Sequence, residues 1–471
     1  MFNAVGLVGL GPMGCAMAQN LCDHGIGVKA WDRDPDALRR ASRILASDVP
    51  ATSLDDVVEQ LSSPRCFLLF LPDGQPVEET LDGLKKRLGS GDIVVDCGNS
   101  HYRDTERRQR MLEENGINLI GVGISGGPKG ARSGPAIMAG GDLGSWKKTR
   151  SVFDAVAAKS GESPCSGYFG KDGAGHFVKM VHNGIEYAVM HLLAELHGFL
   201  SSGFGMDEAA VVSVFTNLNR GLTTGYLIKI MPEVLKARTQ SGDQPLIDIV
   251  DDAVEQKGTG KWTVEAALEF GAAIPTIAEA VLVRSLSSNR NLKQETLGNE
   301  KNQRVSARPQ SREFDVGDAE RLELALALAM ASAFAQGMTL FSSAGEAFGN
   351  PMDRAAILRT WRQGCILRGA LVQSLIQAVE ESPGRQNLLL SGTFPDMVRN
   401  GLPALRSLVA EAVEAGIPMS GFASALAYVE LLNGGIWPGR VIQLQRDFFG
   451  SHGLKNKETG VVFHGPWHEG E

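Results

Sequence analysis

Cysteine is sparse in this chain and never arranged in pairs. Its six residues, at positions 15, 22, 66, 97, 165 and 365, stand in apolar or glycine-rich contexts with no CxxC spacing. That excludes a zinc ribbon and argues against a disulfide framework, so reduced thiols are expected. No HExxH and no Cys/His grouping with ligand spacing occurs, so no metal site is expected either. Positive charge is in deficit, with 46 Lys+Arg against 54 Asp+Glu and a net charge of −8. A nucleic-acid partner is therefore disfavoured, and any anionic ligand must be held by local cations. The opening MFNAVGLVGLG lacks a basic region followed by a long apolar one, so no cleaved signal is expected and the location is read as cytoplasmic. Long uncharged runs are nearly absent; the one at Leu324 to Gly345 is Ala-rich and carries Gln336. Without a second span beside it, it reads as a helix buried in an all-α domain, and no membrane partner is expected.

What is present is enough chain for more than one core. At 471 residues it exceeds the roughly 250–300 at which single cores stop growing. Up to about residue 120, short apolar runs (AVGLVGL, GVKAWD, CFLLFLP, IVVDCG, INLIGVG) alternate with helical patterns, the mark of a doubly wound, mostly parallel sheet. Strand signals fade after the glycine-rich GVGISGGPKGARSGPAIMAGG, and from Gly175 onward apolar residues recur at three-to-four spacing. The expected architecture is an α/β Rossmann-like dinucleotide-binding domain over 1–174 and a large all-helical domain over 175–434. After GIWPGR a polar, irregular tail is expected over 435–471.

Gly9, Gly11 and Gly14 spell GxGxxG between a strand and a helix, which is the context that motif requires. With the interleaved Leu10, Pro12 and Met13 they form a tight turn that lets backbone approach a pyrophosphate at a helix N-terminus. Asp32 ends the second strand, where an acidic side chain accepts hydrogen bonds from an adenosine ribose. Asp32 and Asp34 favour NAD, whereas Arg33 is able to pair with the 2′-phosphate of NADP. A second GxGxxG, at Gly121, Gly123 and Gly126, leads into PKGARSG without a helical pattern and is not read as a nucleotide fingerprint.

GHFVKMVHNGIEY, from Gly175 to Tyr187, raises the question of chemistry. At about 100° per residue, Lys179, His182, Asn183, Glu186 and Tyr187 fall within an arc of about 140°. Val181, Ile185, Ala188, Val189 and Leu192 fill the other side. A lysine partly desolvated on such a face loses its proton more easily, as a general base must.

That stretch, together with SGGPKGARSGPAIMAGG, KGTGKW, WRQGCILR and QRDFFGSH in this order, resembles the 6-phosphogluconate dehydrogenase family of decarboxylating enzymes, within the β-hydroxyacid dehydrogenases. The resemblance runs from Gly9 to His452. It implies oxidation of 6-phosphogluconate at C3, loss of CO2 and release of ribulose 5-phosphate in the pentose phosphate pathway, with NADP or NAD reduced. By the same resemblance Lys179 is the base and later acid at the C3 oxygen, Glu186 protonates C1 of the enediol, and His182 and Asn183 orient the sugar acid. Lys257, Arg284 and Arg446 meet the phosphate, with Tyr187 and Thr259 donating hydroxyl hydrogen bonds. Ser125, Gly126 and Gly127 hold the carboxylate end. Asn99 lies between substrate and nicotinamide, and Leu71, Pro72 and Asp73 lie against the cofactor. Arg446 and His452 resemble residues drawn from the tail of a partner subunit, which implies a homodimer with shared active sites.

NADP-using members carry Asn-Arg-Thr where this chain has Asp32, Arg33 and Asp34, and a lysine where it has Pro72. Glu255 stands where a small residue is usual. The rival readings are another β-hydroxyacid dehydrogenase, whose chains are shorter and lack KGTGKW and QRDFFGSH, and a catalytically silent cofactor-binding redox sensor, which should have lost Lys179 or Glu186.

Overall fold

A computed structural model describes residues 2–46, 49–255, 257–292, 313–349 and 351–468. They group into two compact units, Met1–Ala425 and Leu426–Glu471. The first is built on a seven-stranded sheet. Its strands are β1 (Ala4–Val8), β2 (Gly27–Trp31), β3 (Cys66–Leu69), β4 (Ile93–Asp96), β5 (Asn118–Ser125), β6 (Ala136–Gly141) and β7 (Ser166–Tyr168), in the order β2-β1-β3-β4-β5-β6-β7. The first five run parallel, β6 is antiparallel to β5, and β7 is parallel to β6. Every residue of β3 and β4 is buried, so these strands read as continuous apolar runs instead of alternating ones.

The expectation that strands end with the glycine-rich run needs correcting. AIMAGG inside that run is β6, and SGY, which carries little strand signal, closes the sheet edge. The glycines are there for packing. Helices α1 (Pro12–Asp23) and α2 (Tyr102–Glu113) flank the sheet, and α3 (Ala174–Gly198) crosses β5 and β6 at backbone distance. A Cβ at Gly140 would lie 2.2 Å from the Gly175 nitrogen, and one at Gly175 would lie 2.4 Å from the Gly121 oxygen. In the second GxGxxG, Gly121 and Gly123 likewise let the helix lie down on the strand, since a Cβ at either would run into His176 or Lys179 of α3, which accounts for these two without a nucleotide.

Beyond the sheet, α3 runs 25 residues into a helical layer of α4 (Thr259–Glu269), α5 (Pro275–Ser287), α6 (Val316–Ala344) and α7 (Phe394–Ala415). The uncharged run from Leu324 lies in α6 as far as Ala344, with Gly345 as its C-cap; the helix starts with an Asp315 capping box and is buried along most of its length. Gln336 uses its amide to hold the start of α5, accepting from Thr276 N–H at 2.9 Å and donating to the Thr276 hydroxyl at 2.8 Å. A polar side chain inside an apolar helix is thereby satisfied.

The second unit is more ordered than an irregular tail. A helix spans Gly439–Gly450, and Leu454–Lys455 pairs antiparallel with Val462–Phe463. Asp447 organises it, accepting from Gly453 N–H, Gly465 N–H and His464 Nδ1, each at 2.8 Å, and from Trp467 Nε1 at 3.1 Å. Those partners lie up to twenty residues downstream, so a polar composition concealed the pairing.

Candidate active site

Parallel strands direct their C-terminal ends to one edge, and the order β2-β1-β3 places a crevice where the connections diverge. There the three fingerprint glycines have different tasks. Gly9, at φ 101°, passes so close to β3 that a Cβ would sit 2.4 Å from the Phe70 oxygen. A Cβ on Gly14 would lie 1.9 Å from the Gly9 oxygen, whereas one on Gly11 meets nothing within 4 Å and faces open space. Helix α1 begins at Pro12 with no side-chain cap, leaving its first N–H groups for an anion such as a pyrophosphate.

Beside that turn is a cavity of about 370 Å³, lined among others by Gly11, Asp32, Arg33, Pro72 and Glu79, large enough for part of a dinucleotide. Asp32 is held by Leu10 N–H at 2.7 Å and Asp34 N–H at 2.8 Å. A carboxylate has lone pairs left after two such bonds and fits a ribose diol. Asp34 instead caps the helix Pro35–Ala41. Arg33 reaches across to Glu79, Nη1 to Oε2 at 2.9 Å. Of the further expected cofactor residues, Leu71 and Pro72 line the cavity, while Asp73 turns to Arg108 at 3.1 Å. Asn99 is exposed just beyond β4.

The polar face of α3 is not a wet face. Lys179 is 7% exposed and His182 is fully buried. Gly123 makes room for this, since a Cβ there would come within 2.2 Å of Lys179 Cβ. Lys179 Nζ donates to Asn183 Oδ1 at 2.6 Å, and His182 Nδ1 approaches the same oxygen at 3.2 Å. Asn183 Nδ2 in turn donates to Thr259 Oγ1 at 3.3 Å, and Ser125 Oγ faces His182 Nε2 at 3.4 Å. With Nδ1 donating to an amide oxygen, Nε2 is the acceptor for the serine hydroxyl. Four segments, α3, the end of β5, the KGTG turn and the WRQGC loop, meet here.

Burial sets the protonation states. Loss of solvent pulls the Lys179 ammonium below its ordinary value, against the opposing pull of Glu186 and Cys365. Burial raises Glu186, with Lys179 and Arg284 acting the other way. His182 is driven well below the usual histidine range by burial and then by Lys179, so it is neutral near pH 7. Cys365 is also buried and its thiol is pushed up to about 12 by desolvation, which keeps it uncharged beside the lysine.

Other expected substrate residues lie on further segments. The Arg284 guanidinium lies 3.5 Å from the centre of the Tyr187 ring. Thr259 opens α4 after Gly258, at φ 90°, and Lys257 is exposed just before it. Gly126 and Gly127 take φ of 110° and 61° at the turn following Ser125. Arg446 and His452 belong to the second unit, where both are exposed.

The residues that sequence reasoning missed lie one layer deeper. Arg108, with a fully buried side chain, reaches Asp96 at 3.4 Å, Asp73 at 3.1 Å and Glu78 at 2.9 Å. His176 joins that cluster to α3, with Nε2 at 3.1 Å from the Asp96 carbonyl and Nδ1 at 2.6 Å from Thr105 Oγ1. His176 stands in the quoted helix motif and Asp96 ends IVVD, so both carried a signal. Arg108 is one of several arginines in RDTERRQR and carried none.

Residues 4–170 match the family described as the NAD binding domain of 6-phosphogluconate dehydrogenase, and residues 175–467 match the 6-phosphogluconate dehydrogenase C-terminal domain. An NAD(+)-dependent, decarboxylating 6-phosphogluconate dehydrogenase from Bacillus subtilis is 37% identical, with 100% of both chains covered. An NADP(+)-dependent enzyme of the same name and organism is 34% identical over 98% of each chain. Among solved structures, that of Plasmodium falciparum 6-phosphogluconate dehydrogenase, described in apo form and in complexes with NADP+ and with 6-phosphogluconate, aligns with a TM-score of 0.90. It is 30% identical and the alignment covers 98% of this chain and 100% of that one.

Proposed function

The chain belongs to the 6-phosphogluconate dehydrogenase family, and on that premise we propose that Lys179 and Glu186 carry its proton chemistry. Its reaction is the oxidative decarboxylation of 6-phosphogluconate to ribulose 5-phosphate and CO2, coupled to reduction of a nicotinamide dinucleotide. The observation that carries the assignment is a buried lysine of lowered proton affinity, aimed by Asn183, on the same helix face as a glutamic acid of raised proton affinity.

Neutral Lys179 takes the proton of the C3 hydroxyl; a nicotinamide held in the cleft would supply the acceptor for the hydride leaving C3. The resulting ammonium then polarises the C3 carbonyl and, as the electrons of the breaking C1–C2 bond reach that oxygen and CO2 departs, gives it the proton, leaving an enediol. Glu186 delivers its proton to the carbon that lost the carboxylate, and Lys179 recovers the enol proton as the ketone forms. His182, Asn183 and Ser125 act by position, being tied to one another and to Lys179. Arg284, Lys257, Tyr187 and Thr259 receive the phosphate end, with Gly126 and Gly127 offering backbone N–H groups to the carboxylate. Asp32 holds the adenosine ribose and favours NAD over NADP.

A steady-state assay with 6-phosphogluconate, following absorbance at 340 nm and released CO2 from pH 5 to 10, tests this. The reaction requires the lysine without its proton and the glutamic acid with one. Burial moves the two groups inward, Lys179 down from 10.5 and Glu186 up from 4.5. We expect kcat/KM to be bell-shaped, its limbs belonging to the coupled pair and lying between those two values. No reduction of NAD or NADP at any pH would overturn the proposal.

The active protein in this proposal is a cytoplasmic homodimer. In the second unit Ile436, Trp437, Val441, Phe448 and Phe449 all expose more than half of their surface, a concentration of apolar groups that supports this reading. Arg446 of the partner subunit then completes the phosphate site, with His452 of the partner subunit beside it. Co-expressing Lys179→Met with Arg446→Ala, each inactive alone, should restore about a quarter of wild-type activity, because half of the dimers then hold one intact site. Restoration absent from a mixture shown to contain hybrid dimers would rule out sharing.

A further inference from the structure

We infer that Glu79 is a specificity-determining residue which withholds Arg33 from a cofactor 2′-phosphate; this rests on the dinucleotide reading of the cleft given above. Arg33 is the one cation lining the cleft among the described residues. Its Nη1 is paired with Glu79 Oε2 at 2.9 Å across the opening. Glu79 stands on the helix Gln75–Lys85, on the far wall from β2, and its other oxygen accepts from Gln75 Nε2 at 2.6 Å. The carboxylate is thus held from two sides and pointed at the arginine.

The pair is exposed, with side chains 66% and 50% accessible, so its own strength is small. What it changes is the charge that an incoming anion meets. A ribose diol needs only acceptors, and Asp32 supplies them. A 2′-phosphate, arriving with nearly two negative charges, meets Asp32 and finds the guanidinium already engaged by Glu79. Another cation, Arg40, lies 3.6 Å from Asp34 and is likewise balanced. Discrimination therefore has two parts, a ribose acceptor on one wall and a carboxylate that neutralises the arginine on the other. A search of the sequence around Asp32 finds only the first, because the second is 46 positions from its partner.

The test uses the full-length protein and two adenosine fragments that differ only in the 2′-phosphate, adenosine 2′,5′-bisphosphate and 5′-AMP, titrated calorimetrically. Glu79→Gln keeps the side-chain volume and removes the charge. It should raise the ratio of bisphosphate to 5′-AMP affinity about twofold to fivefold, as expected for uncovering one exposed charge pair. The gain should shrink at 0.5 M salt and vanish in Glu79→Gln/Arg33→Ala. An unchanged ratio in Glu79→Gln, or a gain that survives without Arg33, would overturn the inference. Because the readout is fragment binding, its outcome is independent of whether 6-phosphogluconate is turned over, which is measured separately.

Discussion

Replacing Lys179 by methionine should lower kcat by about 10³-fold while the protein still folds and still binds NADH, because general-base catalysis contributes roughly 10²–10⁴. Methionine keeps an unbranched stem as far as Cε and lacks only the amine, so the narrow space opposite Gly123 stays filled. Asn183 Oδ1 keeps its contact with His182 Nδ1, so no buried acceptor is left without a donor. Stability should not fall, since the lysine is held against desolvation. The sign can be checked by pH. In the folded chain Lys179 releases its proton below 10.5, so between the folded value and 10.5 the unfolded chain holds the extra proton. Wild type therefore gains stability as pH rises through that window, and the methionine variant should not. Stopped-flow measurement of NADH formation separates hydride transfer from later steps. A kcat within tenfold of wild type would remove Lys179 from the role of base.

The second large effect is on stability. Arg108→Met should cost about 3–5 kcal/mol, since it leaves the fully buried Asp96 without its counter-charge. The same change removes partners from Asp73 and Glu78, on the segments that follow β3 and line the cofactor side. Through the Asp96 carbonyl and His176 it also reaches α3. Loss of cofactor affinity should accompany the loss of stability. Arg107 is the control: it bonds Glu78 and Asp104 with more than half of its side chain exposed, and Arg107→Met should change stability by less than about 1 kcal/mol. Thermal and urea unfolding of the two variants would decide the matter, and equal, small losses would show that the buried cluster is not what joins these loops.

Arg107 and Arg108 also show where reading a sequence stops. They are adjacent in a helix of many charges, and only the rotation of α2 against the sheet sends one into the interior and the other into water. The fingerprint glycines were easier, because a tight turn, a strand before it and a helix after it all lie within a few residues. The face of α3 was legible for the same reason: a period of 3.6 residues groups Lys179, His182, Asn183 and Glu186 from spacing alone. What spacing could not show was how deep the burial runs, since both sides of that helix are covered. Strand β6 was hidden because its glycines serve a helix crossing, and the hairpin of the second unit because Asp447 draws its donors from well downstream.

The sequence by itself therefore determined the elements whose causes are local: the parallel strands, the glycine turn between strand and helix, and the clustering of ionisable groups on one helix. Tertiary structure decided which of those groups are dry, which carboxylate meets which arginine, and hence which proton affinities are shifted. Those outcomes depend on desolvation and on charges brought from distant segments, such as Thr259 to Asn183, Ser125 to His182 and Glu79 to Arg33. Such meetings are set by the packing of whole layers, and no window of neighbouring residues contains them.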